Sequence, residues 1–250
     1  EVSTVPSGSF VNLDFATPPG ILWGKDLGLA SSGLINAVAT SYVHEAASVF
    51  ESPPPPEGQV DTSPKGKMFA IFRHPVDRMV SDFYYMRGAT HEFRTYDPSR
   101  YQELESYASD PTKHVDNWMV RFLSDNRYGP HCYSGGCPVT DEDYEYARTA
   151  LKRKCIVLLM DEMEESVRRM VHYGNWTSRV KSPVCIQNFA TKRPGNKNVH
   201  QALESGTDIY EKFREANKYD ILLYWFAKKL FDEQAARFPP PPKQQKKAPA

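Results

Sequence analysis

The stretch that decides the fold is Lys67-Met-Phe-Ala-Ile-Phe-Arg73-His-Pro75-Val-Asp-Arg78-Met-Val-Ser81-Asp-Phe-Tyr-Tyr-Met-Arg-Gly88. Its apolar run from Met68 to Phe72 is too short for a helix and predicts a buried strand. Pro75 suits the first position of a helix because its φ is already helical. Apolar residues then recur at helical spacing and form one stripe: Val76, Met79, Val80, Phe83 and Tyr84. The stretch therefore predicts a strand, a tight turn and a helix.

The polar residues of the same stretch indicate an anion site. Arg73 ends the strand, while Arg78 and Ser81 share a second face of the helix. Free N–H groups and the helix dipole favour an anion at a helix start, and Arg73 adds a bidentate donor fork. The alternative is structural: Arg78 pairs with Asp77 or Asp82 on a solvated face, and Arg73 belongs to an ion pair.

The pattern Arg73-x-Pro75-x-x-Arg78-x-x-Ser81, followed by Phe-Tyr-Tyr, resembles a segment of the Golgi-type carbohydrate sulfotransferases. These form sulfotransferase family 2, which is related to the uronyl and heparan 2-O-sulfotransferases. In that family the segment holds the 3′-phosphate of 3′-phosphoadenosine 5′-phosphosulfate (PAPS). The resemblance implies that Arg73 and Ser81, with Arg78 beside them, bind the donor. It implies transfer of a sulfuryl group to a glycan hydroxyl without a metal.

The stretch Tyr42-Val-His44-Glu45 supplies the candidate for a catalytic base. Imidazole is the side chain most easily poised near neutral pH. The resemblance implies that His44, one strand before the Arg73 motif, takes the proton of the acceptor hydroxyl. Glu45 ranks lower as a residue that orients His44, because neighbouring residues on a helix do not face each other. It remains an alternative base.

A basic segment lies between Glu165 and Glu204, where the chain has no acidic residue. The resemblance implies a basic loop that covers the nucleotide, which makes Lys192, Arg193 and Lys197 further donor-binding candidates. A solvated basic loop is the alternative for each of them.

The fold class indicated is α/β: a P-loop-NTPase-like small parallel sheet flanked by helices, with a helix-rich C-terminal half. We expect one sulfotransferase domain over residues 1–238 and a disordered Pro/Lys tail over 239–250. Residues 1–18 suggest an irregular or edge segment. Strands are expected at 68–72 and 155–160, with a weak candidate at 34–40. Helices are expected at 19–29, 41–50, 75–88, 101–108, 117–124, 140–154, 161–173, 206–217 and 219–238.

One expected motif of the family is missing from the sequence. Its first strand leads into a phosphosulfate loop of the Pro-Lys-x-Gly-[ST]-[ST] kind, and no such sequence occurs here. The expectation is that the chain begins downstream of that first strand-loop-helix, so that alone it holds only the 3′-phosphate half of the donor site. The second hypothesis is a non-catalytic glycan- or nucleotide-binding relative. A P-loop kinase-like protein is a third, opposed by the lack of a Gly-rich loop.

Composition and cysteine content bear on partners and location. The formal net charge is +0 over 250 residues, so the chain lacks the basic character of nucleic-acid-binding proteins. No stretch approaches the ~20 apolar residues of a membrane span. A membrane anchor upstream of this chain, as in a type II membrane protein, fits the resemblance.

Four cysteines, Cys132, Cys137, Cys155 and Cys185, are compatible with two disulfides of undetermined pairing. Cys132 and Cys137 flank a short loop that a local bridge would close; a zinc site is the weaker alternative. Asn175-Trp-Thr177 is a glycosylation sequon. Together these features favour an oxidising compartment such as the Golgi lumen.

Overall fold

The computed structural model describes residues 2–5, 8–35, 37–51, 66–89, 97–126, 137–177 and 202–240. Helices predominate over strands in an α/β arrangement. The strands are β1 (Val2–Val5), β2 (Gly8–Val11), β3 (Met68–Phe72) and β4 (Cys155–Leu159). The helices are α1 (Pro18–Asp26), α2 (Val43–Val49), α3 (Pro75–Gly88), α4 (Leu104–Ser109), α5 (Trp118–Ser124), α6 (Asp141–Lys154), α7 (Met163–Tyr173), α8 (Asp208–Ala216) and α9 (Lys218–Gln234).

The central sheet consists of β3 and β4, which run parallel with Met68 opposite Cys155 and Phe72 opposite Leu159. Strands β1 and β2 form a separate antiparallel pair. Because β3 and β4 are parallel, both end at the same side of the sheet. We call the side with Phe72 and Leu159 the carboxyl edge, and the side with Met68 and Cys155 the amino edge.

Both faces of the central sheet are covered by apolar side chains. On one face, residues of both strands share a core with α5, α6 and α9: Ala70, Phe72, Val157, Leu159, Val120, Leu151, Leu223 and Leu230. On the other face, Ile156 and Leu158 pack with Phe69 and with Met170 of α7. Helices α3, α4 and α8 bury a second core around Phe83 and Phe213. Two-sided coverage explains why every residue of β4 is buried.

Side chains satisfy the outer backbone groups of β4. The Gln234 side chain accepts from the N–H of Val157 at 2.9 Å and donates to the carbonyl of Cys155 at 3.0 Å. The Ser166 hydroxyl accepts from the N–H of Leu159 and donates to its carbonyl, both at 2.8 Å. These bonds pair backbone groups along the outer side of β4 that would otherwise lack hydrogen-bond partners.

Two helices cap one another through Asn117 and Asp220. The amide oxygen of Asn117 accepts from the N–H groups of Tyr219 and Asp220 at the start of α9, at 3.0 and 3.1 Å. The Asp220 carboxylate accepts from the N–H groups of Met119 and Val120 at the start of α5, at 3.1 and 2.9 Å. Each side chain therefore satisfies helix-start donors that have no partner within their own helix.

Several sequence expectations need correction. Of residues 34–40, those that the structure describes form turn and irregular backbone rather than a strand. Residues 1–18 were expected to form an irregular or edge segment; they contain the strand pair β1 and β2, so the irregular alternative is wrong for these strands. Cys155 carries a free, buried thiol, whereas Cys137 is disulfide-bonded, so the four cysteines do not form two bridges. Cys132, Cys185 and the tail at 241–250 lie outside the described residues.

Two kinds of feature are absent from the described ranges. No helix there combines the length and apolar character that a membrane crossing needs. No group of three or more metal-ligating side chains comes together there either.

His114 is a histidine buried among aromatic rings. It is 5% exposed and lies between the rings of Tyr107 and Phe213, at centroid distances of 5.3 and 6.2 Å. Neither ring nitrogen has a hydrogen-bond partner among the residues that the structure describes. Burial lowers its pKa, opposed by the carboxylates of Asp116, Asp82 and Asp110 and reinforced by Arg78. His114 is therefore held neutral in the folded protein.

We expect this histidine to make the fold sensitive to acid. The unfolded chain binds a proton near pH ~6.5, above the lowered folded pKa, so stability is present above that pH and is lost below it. Between about pH 7.5 and about pH 5.5, His114 should remove on the order of 1 kcal/mol of unfolding free energy. Urea unfolding of the wild type and His114→Phe measures this loss. An identical pH dependence in His114→Phe and in the exposed-site control His172→Ala would contradict the assignment.

Candidate functional site

Arg73 lies at the carboxyl edge, directly after β3 and two residues before α3 begins. Its side chain is half-buried, and within the described ranges no hydrogen bond or ion pair joins its guanidinium to another residue. The structural ion pair considered from sequence is therefore not seen there. An arginine with open donors at the start of a 14-residue helix is suited to hold an anion.

The local sequence explains this placement. The strand ends at Phe72, and His74 occupies the N-cap position with extended backbone (φ −53°, ψ 129°). Pro75 takes the first helical position, as predicted. Ser81 follows in the second turn of α3 and is half-buried. Arg73 and Ser81 thus both belong to the beginning of the β3–α3 unit.

Arg78 is engaged elsewhere. One of its guanidinium nitrogens donates to the carbonyl of Val115 at 3.2 Å and to the side chain of Asn217 at 3.3 Å. The guanidinium also lies over the ring of Trp118, 5.8 Å from its centroid. These contacts join α3 to the starts of α5 and α9, which favours a structural role; a direct donor contact for Arg78 stays a prediction.

His44 lies at the amino edge of the sheet. Its Nε2 is 3.2 Å from the carbonyl oxygen of Leu123, and its ring is 6.5 Å from that of Tyr146. The cavity beside it, about 180 Å³, is also lined by Met68 and Cys155, the first residues of β3 and β4. Arg73 follows Met68 by five residue steps along the strand, which is roughly 16 Å along the sheet.

The structure therefore does not bring the expected base next to Arg73. The sequence position of His44, one strand before the motif, suggested an acceptor side adjacent to the donor site. Helix α2 instead packs near α5 at the opposite edge. Glu45 lies in the first turn of α2 and stays with His44. Lys192, Arg193 and Lys197 lie outside the described residues.

Sequence reasoning missed the aromatic and polar groups around His74, the residue that follows Arg73. The His74 ring lies between those of Tyr210 and Tyr224, at centroid distances of 6.4 and 5.2 Å. The Tyr224 hydroxyl donates to the carboxylate of Asp161, which follows β4, at 2.6 Å. Asp161 was detectable from sequence, because ligand-binding residues of parallel sheets follow the strand ends. Tyr210 and Tyr224 come from α8 and α9, and no local pattern in the sequence places them beside His74.

Electrostatic effects at the carboxyl edge favour the neutral form of the His74 imidazole, next to Arg73 in the chain. Burial lowers the pKa of His74; Asp77 and Asp161 oppose this effect, and Lys228 adds to it. Burial, together with the bond to Asp161, raises the pKa of Tyr224. Among the described residues, the carboxyl edge therefore offers the unpaired guanidinium of Arg73, the neutral imidazole of His74 and a helix start, with the carboxylates of Asp77 and Asp161 close by.

Comparison with known proteins finds no similar protein. No protein-family model, curated protein or solved structure matches the chain.

Proposed function

We propose that the chain binds PAPS through its 3′-phosphate at the carboxyl edge and transfers the sulfuryl group to a glycan hydroxyl. The observation that carries the proposal is Arg73, whose guanidinium has no partner among the described residues at the start of α3. A dianionic phosphate would accept two parallel hydrogen bonds from that fork. Ser81 would add a hydroxyl donor from the second turn of the helix.

The reaction itself needs positioned groups rather than a covalent intermediate. The acceptor oxygen forms a bond to sulfur, the bond between sulfur and the 5′-phosphate oxygen breaks, and the acceptor proton passes to a base. Adenosine 3′,5′-bisphosphate then leaves. As in phosphoryl transfer, catalysis depends on orientation and charge stabilisation. His44 is the base in this proposal, with Glu45 as the alternative.

Two features of the described surface support a secretory location such as the Golgi lumen. Asn175 of the glycosylation sequon is exposed just after α7, as attachment of a glycan requires. Cys137 is disulfide-bonded, and disulfides persist in oxidising compartments.

A second candidate function is binding without catalysis. The distance between His44 and Arg73 across the sheet favours it, because a base must reach the hydroxyl it deprotonates. The absence of a phosphosulfate-loop sequence favours it as well. In this case the chain would bind the nucleotide or a glycan and leave the sulfuryl group in place.

A transfer assay separates the two candidates. The full chain is incubated with sulfur-labelled PAPS and a panel of polysaccharides, and labelled product is counted. We expect transfer by the wild type, at least a hundredfold slower transfer by His44→Ala as for loss of a general base, and full transfer by the exposed-site control His172→Ala. Nucleotide binding without transfer would select the binding-only function. Undiminished transfer by His44→Ala would remove His44 as the base.

A further inference from the structure

A cavity of about 400 Å³ lies between the segment that precedes α2 and the beginning of α5. It is separate from the groups assigned above to donor binding. Its lining combines four aromatic side chains with small and hydroxyl-bearing residues: Phe15, Tyr42, Trp118, Phe122, Ala16, Ala39, Thr40 and Ser41. None of these residues carries a charge.

The aromatic rings are held in place by packing. Phe122, which lines the cavity, is 5% exposed. Its ring centroid lies 4.5 Å from that of Trp118 and 5.4 Å from that of Tyr42. The cavity therefore presents preformed aromatic surfaces, which lowers the entropy cost of binding.

Open hydrogen-bond donors surround these rings. Within the described part of the chain, the indole N–H of Trp118 and the hydroxyl of Ser41 bond to no other residue. The Thr40 hydroxyl accepts from the N–H of Tyr42 at 3.2 Å, which leaves its own proton free to donate. Half-buried donors of this kind are satisfied by a ligand or by water.

We propose that this cavity binds a pyranose ring of a glycan. One face of a pyranose carries C–H groups that pack on the electron-rich face of an aromatic ring, while its hydroxyls accept hydrogen bonds at the ring edge. The volume falls at the lower end of the range for small-molecule sites, about 300–1,000 Å³. Because the lining is uncharged, carboxylate or sulfate substituents of the sugar would point to solvent.

The position of the cavity connects it to the proposed donor site. The guanidinium of Arg78 lies 5.8 Å from the centroid of the Trp118 ring, and Arg78 belongs to the helix that Arg73 precedes. A pyranose in the cavity would thus border the donor-binding unit. That this pyranose is the sulfate acceptor rests on the proposed function, whereas binding of a pyranose in the cavity does not.

Titration of the full chain with cellotetraose and with a hyaluronan tetrasaccharide tests the proposal, followed by tryptophan fluorescence and calorimetry. We expect the wild type to bind at least one of them at millimolar concentration or below. Trp118→Ala should weaken binding roughly tenfold through loss of the stacking surface. Ser41→Ala and Trp118→Phe, which keep the packing, should weaken it severalfold. Trp225→Phe is the control, because Trp225 is 57% exposed on α9.

Absence of binding by the wild type, or unchanged affinity in both Ser41→Ala and Trp118→Phe, would overturn the inference. So would weaker binding of adenosine 3′,5′-bisphosphate by these two variants, because the cavity would then hold the base of the donor. If the wild type binds the sugar but not this nucleotide, the pyranose site is supported and the proposed donor function is wrong. Thermal unfolding of each variant confirms that it is folded.

Discussion

Replacing Arg73 with alanine is expected to weaken binding of adenosine 3′,5′-bisphosphate about a hundredfold, which corresponds to 2–3 kcal/mol for loss of charge-assisted hydrogen bonds. The guanidinium has no partner among the described residues, so its removal should leave the unfolding free energy nearly unchanged. Calorimetric titration measures the affinity, and urea unfolding measures the stability. Arg73→Lys should recover only part of the affinity, because an ammonium group lacks the planar fork.

The matched control is Arg148→Ala, which removes the same charge from α6. Arg148 is 43% exposed and pairs with Glu145 at 2.8 Å, away from the carboxyl edge. A general effect of net charge would weaken nucleotide binding equally in both variants. Equal affinities for Arg73→Ala and the wild type would remove Arg73 from the donor site.

The largest expected effect on stability comes from the pair Asn117 and Asp220. Asn117→Ala leaves the N–H groups at the start of α9 without their acceptor, and it places alanine at a left-handed φ of 45°. Asp220→Ala removes the acceptor from two N–H groups of α5 in a site that is 2% exposed. Each change should lower the unfolding free energy by about 2–4 kcal/mol, read from the urea midpoint at constant m-value.

Asp232→Ala provides the comparison on the same helix, because Asp232 is exposed near the end of α9. It should change the unfolding free energy by no more than about 0.5 kcal/mol. If Asn117→Ala and Asp220→Ala were as mild as this control, the two side chains would not hold α5 and α9 together. Because the side chains serve each other's helices, the double variant should cost less than the sum of the single changes.

The elements with strong local signals were predictable from sequence. Strand β3 and helix α3 have the predicted bounds, because a short apolar run, Pro75 and a helical stripe act within a few residues of each other. Helix α6, expected at 140–154, likewise begins at a local signal, the capping box of Thr140 and Asp143. In each case the decisive interactions are local, so neighbouring residues carry the necessary information.

The features that were not predicted from sequence depend on contacts between distant parts of the chain. Strands β1 and β2 span four residues each, too short for a pattern of alternation to stand out. The placement of His44 is set by packing of α2 near α5, with Leu123 as its contact 79 residues away. The reciprocal caps formed by Asn117 and Asp220 gave no local signal, because each side chain bonds to backbone about a hundred residues away along the chain.

The central claim is that the carboxyl edge recognises a 3′-phosphate. The direct measurement is calorimetric titration of the wild-type chain with adenosine 3′,5′-bisphosphate and with adenosine 5′-monophosphate under the same salt conditions. The two ligands differ only in the 3′-phosphate that Arg73 and Ser81 are proposed to bind. We predict that the bisphosphate binds at least about tenfold more tightly, as one charge-assisted contact provides. Equal affinities, or binding of neither nucleotide, would contradict the claim.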